Sequence, residues 1–255
     1  RKRTAPQLEL IVSAYNQYFY SPSIKKWVKR GFLKNTNFVK EVAKNLKFEL
    51  SQDSEERINY ITYFESKNLV HELGFSMLSL KDYWEVLNDA KAIKDIQMIN
   101  SLQGSNFVEF LDTVVINSKF KIDHPTIIEE EKFNGKEDEI EIPKGKPGLI
   151  HPDEIDLEKG FPKIVRSPNE YGNPELWRYW EPDEDIVNPV RSYIFLLKQP
   201  CLDCKMHPRD SFPNLGIRPV TEVVKQPEVN IWIENEQLCM DIKSEGDIAE
   251  YRWGR

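Results

Sequence analysis

The stretch that decides how the chain begins to fold is residues 18–34, which read YFYSPSIKKWVKRGFLK. Pro22 is of the type favoured in the first turn of a helix, and Gly31 is typical of the residue just beyond a helix end. Between them, apolar residues recur at helical spacing, at Ile24, Trp27 and Val28. The stretch therefore predicts a short helix with one apolar side and a basic strip beside it.

The helical spacing continues outward over residues 6–117. Asn35 or Thr36 is the candidate N-cap of one helix, Ser79 opens a helix to about Ala92, and Ser105 caps a last segment. A longer helix is predicted from Ser51 to Gly74. We count six or seven helices with short connections, and so predict an irregular α-helical N-terminal half.

The composition changes after about Phe120, because fourteen of the sixteen prolines lie at or beyond Pro125. Frequent prolines exclude long helices and central strands, which predicts an extended, wrapping segment. Strands are expected only in a small antiparallel β region, within about 190–243, which ends in a hairpin of Val229–Ile233 and Leu238–Ile242. The fold class is then α+β, in three parts: a helical domain, an acidic proline-rich segment and a β-containing region, at residues 1–120, 121–189 and 190–255.

The charges are distributed unevenly. Residues 1–47 hold eleven basic and two acidic side chains, whereas the whole chain has a net charge of −7. A basic arm on an acidic body favours nucleic-acid or membrane contact. The alternative is that the lysines form only the solvated side of helices. The residues predicted to contact RNA phosphates are Arg1, Lys2, Arg3, Lys25, Lys26, Lys29, Arg30 and Lys34.

A second candidate surface is the aromatic stretch Trp177, Arg178, Tyr179 and Trp180. Trp, Tyr and Arg dominate the binding energy of protein interfaces, so the stretch is a candidate anchor into a partner protein. The alternative is that it pins the proline-rich segment to the chain's own body.

The three cysteines cannot form a fully paired disulfide framework. Cys201 and Cys204 have Cys-x-x-Cys spacing, and with His207 and Cys239 they could form a four-ligand zinc site. Strong zinc signatures usually have two such pairs, and Pro200 and Pro208 leave no room for the helix of a redox motif. We therefore favour ordinary buried cysteines and no metal or other cofactor.

Catalytic signatures are missing from the sequence. Asp123-His124-Pro125 and His151-Pro152-Asp153 place imidazoles beside carboxylates, but no nucleophile or orienting partner accompanies them. His71 lacks the second ligand of a zincin pair, and no phosphate-binding loop occurs. Apolar runs are also shorter than the roughly 18 residues of a membrane-spanning helix. The chain is therefore expected to be neither an enzyme nor a spanning membrane protein.

Three function classes remain, and the first accounts for the most features. It is a non-catalytic structural subunit of a ribonucleoprotein, with a basic arm toward ribosomal RNA and an extended half on neighbouring proteins. The acidic balance indicates a peripheral subunit, by analogy with lineage-specific mitochondrial ribosomal proteins. Basic, acid-poor N-termini occur in organelle targeting segments, so a mitochondrial matrix location is expected, with the cytoplasm as the alternative. The other two classes are a protein–protein adaptor without RNA contact and an enzyme with an unread signature.

Overall fold

The structure is a computed structural model. It describes residues 17–103, 108–129, 132–142, 148–167, 173, 175–184, 187–195, 199–211, 215–221, 228–234 and 237–243. Over these residues it holds four α-helices among a majority of β-structure, so the prediction of a helical N-terminal half with six or seven helices is wrong. The helices are α1 (Asn37–Asn45), α2 (Tyr63–Glu72), α3 (Leu80–Ala92) and α4 (Ile96–Gln103).

Short strands occur along the whole of the described chain, not only beyond residue 190. In chain order they are β1 (Tyr18–Ser21), β2 (Lys26–Lys29), β3 (Ser51–Gln52), β4 (Ile58–Asn59), β5 (Val108–Ile116), β6 (Phe120–Asp123), β7 (Thr126–Glu129), β8 (Lys132–Asn134), β9 (Glu137–Glu139), β10 (Gly148–Ile150), β11 (Trp177–Trp180), β12 (Val187–Phe195), β13 (Gln199–Asp203), β14 (Leu215–Gly216), β15 (Val220–Thr221), β16 (Glu228–Glu234) and β17 (Gln237–Lys243).

Eight of these strands form one mixed sheet, in the order β10-β11-β13-β12-β5-β6-β9, with β14 beside the start of β5. The pairs β11–β13 and β14–β5 are parallel, and the others are antiparallel. The predicted proline-rich segment supplies β10 and β11 to this sheet. Pro189 lies within β12, next to a register shift between Pro189 and Arg191. An irregularity of this kind is where a strand tolerates proline.

Strand β5 is central and buried, and its two faces reach two different cores. Leu111 and Val115 contribute to a core with α3, α4 and the β1–β2 pair. Phe110 and Val114 contribute to a core with α1 and α2. Successive side chains of a strand point to opposite faces, so the large sheet lies between the two helical layers.

A three-stranded sheet, β1-β2-β15, covers the α3–α4 side of the molecule. Two-stranded pairs complete the β-structure, at β3–β4, β7–β8 and β16–β17.

Several predicted helices are wrong for identifiable reasons. The helix expected after Pro22 is the turn and second strand of a hairpin, where aromatic and β-branched residues fit a pleated surface. The segment after Ser51 forms β3 and β4 before α2 begins at Tyr63. The segment predicted as a helix after Ser105 contains β5 instead. The strand is not recognisable in the sequence, because a strand buried on both faces lacks the alternation of polar and apolar residues.

Local signals at helix ends and at the last hairpin are confirmed. Ser79 caps α3 by accepting a hydrogen bond from the Asp82 amide, and Thr36 caps α1 by accepting one from the Val39 amide. Gly74, just after α2, has the positive φ of +74° expected of a C-terminal glycine. The strands expected near Val229–Ile233 and Leu238–Ile242 occur as β16 and β17.

Candidate nucleic-acid interface

Two of the predicted RNA-binding lysines, Lys26 and Lys29, lie in the β1–β2–β15 sheet, whose register gives it two distinct faces. In antiparallel strands, residues opposite each other point to the same side. Tyr18 lies opposite Lys29, Phe19 opposite Val28, Tyr20 opposite Trp27 and Ser21 opposite Lys26, while Val220 and Thr221 of β15 lie opposite Val28 and Trp27. We call the inner face Phe19, Ser21, Lys26, Val28 and Val220. We call the outer face Tyr18, Tyr20, Trp27, Lys29 and Thr221.

The inner face rests on α3 and α4. Phe19, Val28 and Val220 are buried in the core. The Ser21 hydroxyl donates to the Asp89 carboxylate at 2.5 Å, and the Ser23 hydroxyl in the turn donates to the same carboxylate at 2.7 Å. The hairpin is therefore fixed to α3 by polar contacts as well as by its apolar side chains.

Two of the predicted RNA-binding residues belong to this inner side. Arg30 pairs with Asp95 at 2.6 Å and lies over the Phe19 ring, 5.7 Å from its centroid. The hydrogen bond from Arg30 holds the pKa of Asp95 below its usual value. Burial would raise the pKa of Asp82, but hydrogen bonding and charge from His124, with the charge of Lys26, lower it overall. Arg30 and Lys26 thus compensate carboxylates of the chain itself.

The other three basic residues lie outward. Lys25 is exposed in the turn, with a left-handed φ of 55°, and Lys29 is on the outer face. Neither has a carboxylate within ion-pair distance among the residues whose side chains are described. Lys34 approaches Glu56 only at 3.9 Å, and both side chains are more than half exposed. Burial, together with the nearby Lys34 charge, lowers the pKa of Lys29.

Aromatic rings stand beside these lysines. The ring centroids of Tyr20 and Trp27 are 5.2 Å apart, with an angle of 52° between the ring planes. Tyr20 is 44 % exposed and Trp27 is half-buried. The expected helix would have buried Trp27 and spread the lysines along one strip; the hairpin instead brings the ring pair and Lys29 to the same face.

Arg218 holds this sheet against the rest of the molecule, and sequence reasoning missed it. The residue is 1 % exposed, and its Nε donates to both carboxylate oxygens of Glu109, at 2.9 and 3.0 Å. Its guanidinium lies over the ring of Phe32, 4.9 Å from the ring centroid. It also donates to the Lys29 carbonyl at 2.9 Å and to Ser101 in α4. One buried guanidinium thus joins β2, α4 and β5. Nothing in the sequence around Arg218, which is followed by Pro219, indicates this role.

The remaining predicted site residues lie elsewhere. Arg1, Lys2 and Arg3 lie outside the described residues. In the aromatic stretch, Trp177 and Tyr179 are buried in β11, and only Arg178 and Trp180 are partly exposed. The first two therefore pack inside the chain, as the alternative interpretation of this stretch expects.

The candidate zinc ligands are only partly described. Cys201 lies in β13 and Cys204 just after it; both are buried free thiols, and burial raises the pKa of Cys204 well above its usual value. The His207 Nδ1 accepts a hydrogen bond from the Arg209 amide. The backbone of Cys239 lies in β17, opposite Trp232. Within the described residues, no three His, Cys, Asp or Glu side chains are grouped to hold a metal ion.

A charged cluster surrounds His124. Its Nδ1 is 2.9 Å from the Asp112 carboxylate, and its Nε2 is 3.4 Å from the Asp82 carboxylate. Asp112 also accepts hydrogen bonds from Lys67 at 2.5 Å and Tyr63 at 3.3 Å. The hydrogen bond to Asp112, then that to Asp82, raises the pKa of His124 to about 9. An imidazole held charged at neutral pH is a poor general base, so the cluster suits a structural role.

The other histidine motif borders an open cleft of about 380 Å³. His151 accepts a hydrogen bond from the Asp153 amide at 3.2 Å, and its Nδ1 is 3.8 Å from the Asp153 carboxylate. Lys91, Glu175 and Trp177 also line the cleft. Its described lining includes no Ser, Thr or Cys that could act as a nucleophile.

Comparison with known proteins adds no relative, since no family model, curated protein or solved structure matches the chain. None of the helices among the described residues has the length and apolar character needed to cross a bilayer.

Proposed function

We propose that the chain is a non-catalytic structural subunit of a large ribonucleoprotein, and that it contacts RNA through the outer face and the adjoining Lys25 and Lys34. The assembly we favour is a mitochondrial ribosome, in the matrix, with the chain at its periphery. Ribosomal RNA and neighbouring ribosomal proteins are its proposed partners.

One observation carries this proposal. Within one short hairpin, Arg30 pairs with Asp95, and Lys26 lies on the inner face, where its charge lowers the pKa of Asp82. Lys25 and Lys29 have no carboxylate within ion-pair distance among the described side chains. Cations without compensating acids repel each other, and a polyanion relieves that repulsion while releasing its own counterions. Phosphate is therefore the ligand that this surface favours.

The acidic remainder of the chain and its exposed apolar residues support protein neighbours as well. Ile93 and Ile96 are 67 % and 62 % exposed at the α3–α4 corner. Such residues are typical of surfaces covered in an assembly. This corner is also the observation that favours the second candidate, an adaptor that contacts only proteins.

The test is RNA binding by the full chain, measured by fluorescence anisotropy with a labelled oligouridine of about 20 nucleotides. Replacing Lys25 and Lys29 by Gln removes two phosphate contacts. The slope of log affinity against log salt should then become shallower by about 1.4.

The matched control replaces Lys40 and Lys44 by Gln, because both are exposed on α1, on the other side of the large sheet. This variant should keep the wild-type slope. The adaptor would be favoured if wild-type protein did not bind RNA at low salt. It would also be favoured if the two double variants gave equal slopes.

A further inference from the structure

We propose that the outer face binds single-stranded RNA, with unpaired bases stacked on Tyr20 and Trp27 and phosphates beside Lys25 and Lys29. This inference rests on the proposed function and goes beyond it, since contact with phosphate alone would accept duplex and single strand alike.

The ring pair is the first reason. Tyr20 and Trp27 are direct cross-strand neighbours, so two rings stand on the same face of a sheet and are held by its backbone hydrogen bonds. Their planes meet at 52°, so the rings do not stack flat against each other. Tyr20 is 44 % exposed, so part of its ring is accessible. An accessible ring fixed on a sheet is a stacking platform for a base.

The position of the lysines is the second reason. Lys25 precedes β2 and Lys29 ends it, with Trp27 midway. Strand β2 spans about 10 Å between Lys26 and Lys29, and Lys25 lies in the turn immediately before it. The two lysines therefore lie at opposite ends of the strand that carries Trp27, which is the order in which a strand of nucleotides presents phosphate, base and phosphate.

The electrostatics of Lys29 agree with an anionic ligand. Burial, and then the charge of Lys34, lowers the pKa of Lys29, and no described side chain places a carboxylate within ion-pair distance of its ammonium group. A phosphate group beside it would supply an anionic partner.

A duplex cannot use these rings. Its bases are already paired and stacked, and the major groove of an RNA helix is too deep and narrow for side chains to read. The outer face is the surface of a sheet rather than a projecting loop or helix. Duplex RNA would therefore gain only the lysine contacts.

The experiment compares a labelled single-stranded RNA with the same strand annealed to its complement, at one salt concentration, using the full chain. Wild-type protein should bind the single strand about tenfold more tightly than the duplex. Tyr20→Ser should weaken single-strand binding about tenfold and leave duplex binding unchanged. Tyr20→Phe keeps the ring and should keep the preference.

The matched control is Tyr60→Ser, because Tyr60 is 55 % exposed and adjoins the α1–α2 core rather than the outer face. This variant should bind both probes as wild type does. Circular dichroism identifies any variant that loses its fold. If Tyr20→Ser is such a variant, Tyr20→Phe still tests whether the aromatic ring is sufficient for the preference for single-stranded RNA.

The outcomes separate the two proposals. Equal affinity for both probes, or a Tyr20→Ser effect that is equal on both, overturns single-strand recognition and leaves the lysine contacts standing. Loss of the preference in Tyr20→Phe overturns stacking. Absence of binding to either probe overturns the proposed function itself.

Discussion

The two sides of the β1–β2 hairpin use the same residue types for opposite purposes. On the inner side, Arg30 pairs with Asp95 and helps to hold the hairpin on α3 and α4, and the charge of Lys26 lowers the pKa of Asp82. On the outer side, Lys29 has the charge of Lys34 nearby, and no described side chain places a carboxylate within ion-pair distance of it. Strand alternation alone separates them. Basic residues that are clustered in the sequence therefore do not form one surface in the folded chain, and each of them needs a separate test.

The largest effect is expected at Arg218, which supports the inner side of the hairpin most strongly. Arg218→Met would leave the buried Glu109 carboxylate unpaired and remove the hydrogen bonds to Lys29 and Ser101. Breaking a buried pair from one side costs about 3–5 kcal/mol of unfolding free energy. Urea denaturation followed by circular dichroism measures it.

The double variant Glu109→Gln with Arg218→Met is the control, because it removes both charges. It should be more stable than Arg218→Met alone, since no unpaired charge remains buried. If the two variants are equally unstable, the guanidinium acts through packing and not through its charge.

A second paired group, His124, should make stability depend on pH. Its folded pKa of about 9 lies above the ordinary 6.5. The imidazolium therefore contributes its full stabilisation below about pH 6.5, and that contribution is lost as pH rises through about 9. Because 40 % of the side chain is exposed, solvent screening limits the contribution to about 1–2 kcal/mol.

The measurement for His124 is the difference in unfolding free energy between wild type and His124→Gln across that range of pH. The difference should shrink toward alkaline pH, and lysine or tyrosine titrations common to both proteins cancel. A difference that does not change with pH would mean that folding does not shift the pKa of His124.

Arg30→Gln should have a moderate effect on stability. It removes the 2.6 Å pair with Asp95, which also accepts a hydrogen bond from the Met98 amide at the start of α4. The pair is only partly buried, so we expect a loss of about 1–2 kcal/mol. RNA affinity should stay close to wild type; a loss as large as that of the Lys25 and Lys29 variant would place Arg30 on the outer side.

The smallest effect on stability is expected for Lys25→Gln, because its side chain is exposed in the turn. The change in unfolding free energy should stay within about 0.5 kcal/mol, as at other exposed positions. The same variant should weaken RNA binding and flatten its salt dependence. Thermal unfolding together with anisotropy tests both halves of this expectation. Strong destabilisation by Lys25→Gln would contradict the conclusion that the outward lysines do not contribute to the stability of the hairpin.

The sequence could predict the features of this fold that depend on neighbouring residues. The caps at Ser79 and Thr36, the glycine after α2 and the β16–β17 hairpin all depend on contacts within a few positions. The prediction of a helix after Pro22 is wrong, because three apolar residues at helical spacing also fit the turn and short strand of a hairpin. Strand β5 could not be recognised, because it is buried on both faces and lost the polar alternation that marks most strands.

The sequence could predict which basic residues belong to the candidate site, but not which of them face outward. Lys25, Lys29 and Lys34 were among the predicted residues, but the roles of Lys26 and Arg30 depended on the strand register and on acids more than fifty positions away. Arg218 lies further still from its partners. The alternation Tyr18-Phe19-Tyr20 was the one local signal of a two-faced strand.

The third strand of the hairpin sheet has a consequence for biosynthesis. Val28 pairs with Val220, so 192 positions separate partners in this small sheet. At typical translation rates of about 5–20 residues per second, β1 and β2 emerge roughly 10–40 s before β15 can join them. A nascent or truncated chain would thus carry the lysines and rings of β1 and β2 without the third strand that completes their sheet.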